Sequence, residues 1–362
     1  MNFKINESSL KVIDKTGSGF QLPYLWIRDN CSCNECRVEK TQEKKFRLDS
    51  VPEDLKPQSV SLNQNNIIIV WPDDHNTSIN FQDIEFLKAL RKPEEVLWMN
   101  NFTPNYYNWD DFLQKNDGAK DAISNFISTG AICIKNAPCL PNTLEELSPR
   151  LGPIRELLFG RIHDVSVDSH IYNIAHTSLA IPPHNDFASY SWPPSVQALH
   201  MLANESEGGE SIIVDGYSVA RDLRNDFPNF FNILSTFSVP FREFDEENET
   251  YTNEPIIRLN SNNEIAGFRY SNQLMQMVDP QKKNIDLFYK AYHELCKRIN
   301  SQKYKSKFRL EAGHILLVSA HRILHGRNEF NANGKRHLQD AYYEMDNVVN
   351  NFILDKNKSL RR

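Results

Sequence analysis

Short runs of β-branched and aromatic residues, each closed by turn residues, dominate the chain, and helical spacing breaks in at few places. In the first ninety or so residues "SLKVIDKTG" and "GFQLPYLWIRDNC" read as strands flanking a turn at "TGSG", and "NNIIIVWPDDH" as a β-run ended by turn residues. "FQDIEFLKALRKP" has helical spacing and stops at a proline. Residues from about 91 to 120 read as a connecting stretch packed by aromatics, and "KDAISNFISTGAICIKNAP" as a helix running into a buried strand. Beyond residue 150, "SIIVDGYS", "EIAGFRYSN", "HILLVSAHRILHG" and "RHLQDAYYEMD" are β-rich, whereas "YSVARDLRNDFPNFFNILST" and "NIDLFYKAYHELCKRINS" have helical spacing. The acidic stretch 242–254, "REFDEENETYTNE", is expected to be a solvated loop. This order predicts a mainly β fold with flanking helices, a double-sheet jelly roll rather than a parallel α/β sheet. The expected division is a small β domain over 1–95 and the jelly-roll domain over 96–362.

Composition narrows the setting. At 362 residues the chain exceeds one minimal domain, and 40% hydrophobic with 11% aromatic residues supply a real core. A net charge of −6 creates no field that would attract nucleic acid or an anionic membrane. No apolar run reaches the length of a spanning helix, and the start lacks the features of a signal or transit peptide. A soluble, cytoplasmic protein is expected. Cys31, Cys33 and Cys36 cluster within six residues, which in a cytosolic chain suggests a metal, while Cys133, Cys139 and Cys296 read as small core residues.

The stretch "IPPHNDFASYSWPP" holds His184 and Asp186 two residues apart, a spacing that turns both to one face of a strand. Downstream, "HRILHGRNEF" offers His321 and His325 as a third ligand. Two histidines and a carboxylate on one face of a metal form the facial triad of non-haem Fe(II) oxygenases, whose open positions receive co-substrate and O₂. Arg336, eleven residues after His325, is placed to grip the far carboxylate of a 2-oxoacid in a bidentate fork. A zinc hydrolase is the poorer reading, because no H-E-x-x-H occurs.

Together "PPHND", "GGESIIVDGY", "ILHGRNEF" and "RHLQDAYYEMD" resemble the γ-butyrobetaine and trimethyllysine hydroxylase family of Fe(II)/2-oxoglutarate dioxygenases, within the taurine-dioxygenase-like superfamily. The resemblance covers nearly the whole chain. It implies His184, Asp186 and His325 as iron ligands, with Arg336 and Ser211 on 2-oxoglutarate. It leaves His321 as a residue that either supports the metal ligands from behind or packs beside them, not as an iron ligand. It also implies substrate contacts from Phe159, His163, His176 and Tyr342 at positions of an aromatic cage, from Asn173 near a substrate carboxylate, and from Asn272 in "FRYSN". Only Tyr342 matches the cage residue for residue. Imidazoles at 163 and 176 are weaker partners for a quaternary cation, so a substrate other than a trimethylammonium compound is expected.

The amino-terminal motif "RDNCSCNECR" supplies three thiolates, and His75 follows the run "IIIVW". Three sulfurs and one imidazole make a closed tetrahedral Zn²⁺ site of structural type. The resemblance implies the same ligand order in a small amino-terminal zinc domain.

The sequence thus reads as an enzyme hydroxylating an aliphatic C–H of a small polar substrate (an amine, betaine or amino-acid-like molecule), with release of succinate and CO₂. Fe(II), 2-oxoglutarate and structural zinc are the expected cofactors. A catalytically silent metal-binding or regulatory protein of the same fold is the alternative. Expected partners are the small-molecule substrate and O₂, with no nucleic acid and no membrane; a homodimer stays open.

Overall fold

The computed structural model describes residues 2–13, 19–63, 66–80, 93–114, 117–158, 160–166 and 174–357. The chain divides into two compact units, Met1–Arg91 and Lys92–Arg362.

In the first unit, two three-stranded antiparallel sheets run Asn2–Ile5, Ser9–Ile13, Gly19–Pro23 and Ser59–Asn63, Asn66–Val70, Asn76–Asn80. Alternation at Ile67, Ile69 and Trp71 turns these side chains inward onto Leu10, Val12, Leu22 and Ile27. The segment "GFQLPYLWIRDNC" is not one strand. It stops at Pro23, and Tyr24–Asp29 is a short helix burying Tyr24 and Ile27. Pro23, with no N–H for a ladder bond, ends the strand there. The helix expected at "FQDIEFLKALRKP" lies outside the described residues, apart from its closing proline.

The second unit carries two larger sheets. One orders Asn105–Asn108, Ala131–Lys135, Ile315–Ser319, Val196–Asn204, Arg336–Tyr343 and Ile162–Ser166; the other orders Ile181–His184, Ile323–Arg327, Ser211–Asp215 and Ser306–Phe308. All neighbours are antiparallel except the first pair of the larger sheet. Leu199, Met201, Leu316, Val318 and Leu338 of the larger sheet join Ile213 and Ile323 of the smaller in one buried cluster. The larger sheet's outer face packs on helix Asp117–Thr129 through Ile123 and Phe126. Helices Gly216–Asp226, Pro228–Thr236 and Ile285–Asn300 pack on the smaller sheet through Val214 and Leu324. Strands buried on both faces lose polar alternation, which is why Ser211–Asp215 and Ile315–Ser319 carry unbroken apolar runs at 212–214 and 315–318.

Two further expectations change. The acidic stretch 242–254 is not a loop but most of an antiparallel hairpin, Val239–Phe244 with Glu249–Glu254. Its turn is closed by Asp245, whose carboxylate accepts the N–H groups of Glu247 and Asn248. Charge on the exposed face hid the strand period. Among the scattered cysteines, Cys133 is buried, but Cys139 is exposed and Cys296 half-buried against the Tyr270 hydroxyl. Among the described residues no helix is long and apolar enough to cross a membrane.

Candidate metal centre and its two cavities

His184 ends one strand of the smaller sheet, and His325 sits in the middle of its neighbour, the two residues directly paired across the ladder. Their rings lie 4.5 Å apart. Asp186 lies just past the strand end, so the turn rather than a strand face delivers the carboxylate. Asn185 holds that turn: its amide donates to the carbonyls of Ala320 and Ile323 at 2.7 and 3.1 Å, and its oxygen accepts the Tyr270 N–H at 2.8 Å. Phe187 follows with φ 51°, a left-handed residue that completes the turn. Gly326 allows the close approach of the two ligand strands, since a Cβ there would sit 2.5 Å from the Ile181 carbonyl oxygen.

Asp186 Oδ1 lies 3.1 Å from His184 Nε2, and Oδ2 lies 3.5 Å from His325 Nε2. Cis ligands on an octahedral cation with bonds of about 2.1 Å stand about 3 Å apart, so the donor set fits one metal ion. The proton economy agrees. Neutral His184 donates Nδ1–H to the Pro182 carbonyl, 3.0 Å away, and turns Nε2 toward Asp186 Oδ1; burial opposes a charged imidazole, but Asp186 outweighs it and raises the His184 pKa, so Nε2 is set to take up either a proton or a metal ion. Burial pushes His325 down to about 4, keeping its imidazole neutral and free to donate a lone pair. Burial opposes ionisation of Asp186, but the two imidazoles and the Tyr342 hydroxyl hold it far below the usual carboxylate range. Gln197 and Tyr342 donate to Asp186 Oδ2 at 2.7 and 2.8 Å and orient it. His321, the other sequence candidate, instead meets the Pro193 carbonyl at 2.9 Å and the edge of Trp192.

Two cavities meet at this triad. The first, about 110 Å³, is lined by His184, Asp186, His325, Ser211, Arg327 and Arg336. Arg327 and Arg336 both approach the Phe330 ring, at 4.7 and 5.1 Å, and each carries a buried Nε without a hydrogen-bond partner. Burial, followed by repulsion from Arg336, pushes Arg327 down to about 10; burial, followed by Arg309, does the same to Arg336. Two buried guanidiniums lacking a carboxylate partner among the described residues are costly unless an anion occupies the space between them and the triad. The sequence reading missed Arg327, although it directly follows the "HG" of the ligand motif.

The second cavity, about 150 Å³, is lined by His184, Asp186, His163, His176, Glu243 and Tyr342, together with Phe187 and Asp340. His163 Nδ1 pairs with Asp340 Oδ1 at 3.0 Å, and Asp340 Oδ2 lies 2.8 Å from the Tyr342 hydroxyl, whose single proton it shares with Asp186 Oδ2. Burial works against a charged His163, but Asp340 outweighs it and raises the imidazole pKa. Burial, reinforced by Asp186, pushes Glu243 up to about 7. Asn272 does not reach the cavity. It is exposed and accepts from Tyr292 at 3.1 Å, while its neighbours Ser271 and Gln273 line the wall. Phe159 and Asn173 lie outside the described residues. Phe187, Asp340 and Glu243 were not singled out from sequence. Phe187 directly follows the H-x-D motif, whereas Glu243 carries no local signal. A wider cleft of about 730 Å³ elsewhere, lined by Arg221, Arg224 and Arg258, contains none of the triad.

In the first unit, Cys31, Cys33, Cys36 and His75 converge. His75 Nε2 lies 3.3, 3.7 and 3.5 Å from the three sulfurs in chain order. Ligands at about 2.3 Å for sulfur and about 2.0 Å for nitrogen around a tetrahedral ion stand about 3.6 Å apart, so these donors fit a closed site. Buried Arg28 donates to Cys36 Sγ at 3.2 Å and stacks on Phe46 at 4.0 Å, offsetting thiolate charge from below.

Comparison with known proteins places this geometry. The family model described as taurine catabolism dioxygenase TauD, TfdA family matches residues 99–342, and that described as gamma-butyrobetaine hydroxylase-like, N-terminal matches residues 1–82. The chain is 28% identical to gamma-butyrobetaine dioxygenase of Pseudomonas sp. (strain AK-1), over 91% of this chain and 89% of that protein. It is 26% identical to mitochondrial trimethyllysine dioxygenase of Mus musculus, over 92% of this chain and 82% of that protein. In fold it is similar to the non-heme iron oxygenase OrfP in complex with Fe, succinate and (3S)-hydroxy-L-Arg, with TM-score 0.50 and 16% identity over 63% of this chain and 81% of that one. The fold joins the three candidate metal donors of the H-x-D and H-G-R motifs, and by sequence over two thirds of its length this chain belongs to the TauD/TfdA family of dioxygenases.

Proposed function

We propose that this chain hydroxylates an aliphatic C–H of a small polar substrate, converting 2-oxoglutarate and O₂ to succinate and CO₂ as C–H becomes C–OH. The observation that carries the reading is the first cavity, where buried Arg327 and Arg336 face the His184–Asp186–His325 donors across a space suited to a dicarboxylate. Fe(II) held by those donors would supply O₂ activation. Arg336 grips the far carboxylate of the co-substrate, Ser211 offers a hydroxyl beside it, and Arg327 adds a second positive charge to the same wall. Gln197 and Tyr342 keep Asp186 ionised and aimed. His163, His176 and Tyr342 line the substrate side, and Leu199 and Leu338 keep the co-substrate side dry. In the first unit Cys31, Cys33, Cys36 and His75 hold a structural Zn²⁺ that supplements a small core.

The test is a screen of small amines, betaines and amino acids, following succinate formed from 2-oxoglutarate in the presence of Fe(II). Substrate-dependent succinate release is the expected result. Failure to bind or consume 2-oxoglutarate with Fe(II) present would overturn the reading.

A further inference from the structure

The substrate-side cavity is rich in carboxylates, and all but one are engaged. Asp186 belongs to the metal donors. Asp340 pairs with His163, accepts from Gln197 and shares the Tyr342 hydroxyl proton with Asp186. Asp164 pairs with His337 and accepts from Gln339 at 3.0 Å. Glu243, on the strand Val239–Phe244, accepts only a long bond of 3.4 Å from the Ser189 hydroxyl. That hydroxyl is better placed on Thr250, at 2.8 Å. Among the described residues Glu243 has no cationic partner within ion-pair distance, yet it lines the same wall as His176 and Phe187.

We propose that Glu243 is the specificity-determining anchor for a substrate cation bearing N–H groups, an ammonium or guanidinium, and that the site selects it over its fully methylated counterpart. This rests on the dioxygenase reading above. An anionic substrate group beside Glu243 would be repelled, and a neutral one would draw no attraction from its charge. A quaternary ammonium would balance the charge but offers the carboxylate no donor. Its alternative source of attraction, a box of π faces, is thin among the described residues. Phe187 and Tyr342 meet edge to face at 5.0 Å and 87°, and Tyr342 is tied by its hydroxyl to Asp186 and Asp340. Tyr190 meets Phe187 edge to face at 5.1 Å but is not among the cavity's lining residues, and His163, the ring that is, is turned into ion pairing with Asp340. A charge-assisted N–H bond to Glu243 is the stronger attraction the cavity holds.

The experiment uses the Fe(II)-loaded full chain. It compares ω-amino acids of increasing length, lysine and arginine with γ-butyrobetaine and trimethyllysine in a succinate-release assay, and measures 2-oxoglutarate binding separately by calorimetry. An unmethylated amine or guanidine is expected to be the preferred substrate. Glu243→Gln is expected to raise its KM about tenfold or more with kcat and 2-oxoglutarate affinity little changed, and Glu243→Asp to recover part of the loss. Preference for a trimethylated compound, a KM unmoved by Glu243→Gln, or normal 2-oxoglutarate binding with no amine or guanidine turned over would each overturn the proposal while leaving the dioxygenase reading intact. Absence of 2-oxoglutarate binding would overturn both. Thermal unfolding of both variants separates a folding defect from a recognition defect.

Discussion

His184 and His325 face each other directly across one antiparallel strand pair, 141 residues apart in the chain, and Gly326 is what lets those strands close up. A methyl group at 326 would meet the Ile181 carbonyl at 2.5 Å. Gly326→Ala should therefore destabilise the fold by about 1–3 kcal/mol and weaken Fe(II) binding. Denaturant melts together with metal titration would check it, and wild-type values for both would refute the close-approach argument.

His184→Ala and Asp186→Ala each remove one of three donors. Turnover of 2-oxoglutarate should fall by more than the roughly hundredfold typical of losing an outer-shell partner, while unfolding stays cooperative. Near-normal turnover by purified Asp186→Ala with Fe(II) would dismiss the triad.

Arg336→Gln should raise the KM for 2-oxoglutarate by about tenfold to a hundredfold, the worth of a charge-assisted pair. Arg327→Gln should act in the same direction and also loosen the segment it holds through the Thr177 and Leu179 carbonyls. Co-substrate KM and limited proteolysis of the two variants separate these roles. Two unaffected KM values would remove both arginines from the co-substrate wall.

Metal analysis should find about one tightly bound Zn per chain besides exchangeable iron. Cys33→Ser should lose it, and the first unit should become protease-sensitive before the second. Zinc content unchanged in that variant would exclude the cluster.

Glu243 has a raised carboxyl pKa, about 7, chiefly from burial. The folded state then binds more protons than the unfolded one between the ordinary glutamate range and pH 7, so stability falls as pH rises through that window. Glu243→Gln should match wild type near pH 4.5 and exceed it above pH 7, by on the order of 2 kcal/mol. Urea unfolding at the two pH values measures the difference. A pH-independent offset would contradict the assignment.

The chemistry-bearing motifs were legible in the sequence because each is short. H-x-D, H-G-R and C-x-C-x-x-C put donors of the right kind within a few residues, and alternation in "NNIIIVW" marked a half-buried strand. Local pattern failed where charge masked the strand period, as in 242–254, and where a proline split one apolar run into strand and helix, as at Pro23. Spacing left both His321 and His325 open and the resemblance favoured His325; strand register gives the physical reason, since His325 falls opposite His184 in the ladder whereas His321 lies outside that strand. The walls of the two cavities were likewise beyond local reading. Arg327, Asp340 and Glu243 come from three strands in different parts of the chain, and Asn272 faces away although its neighbours face in. Ligand type is set by side-chain chemistry, which a sequence states outright. The partners of a buried charge depend on which distant strands pair and on side-chain direction within them, and only the folded chain decides that.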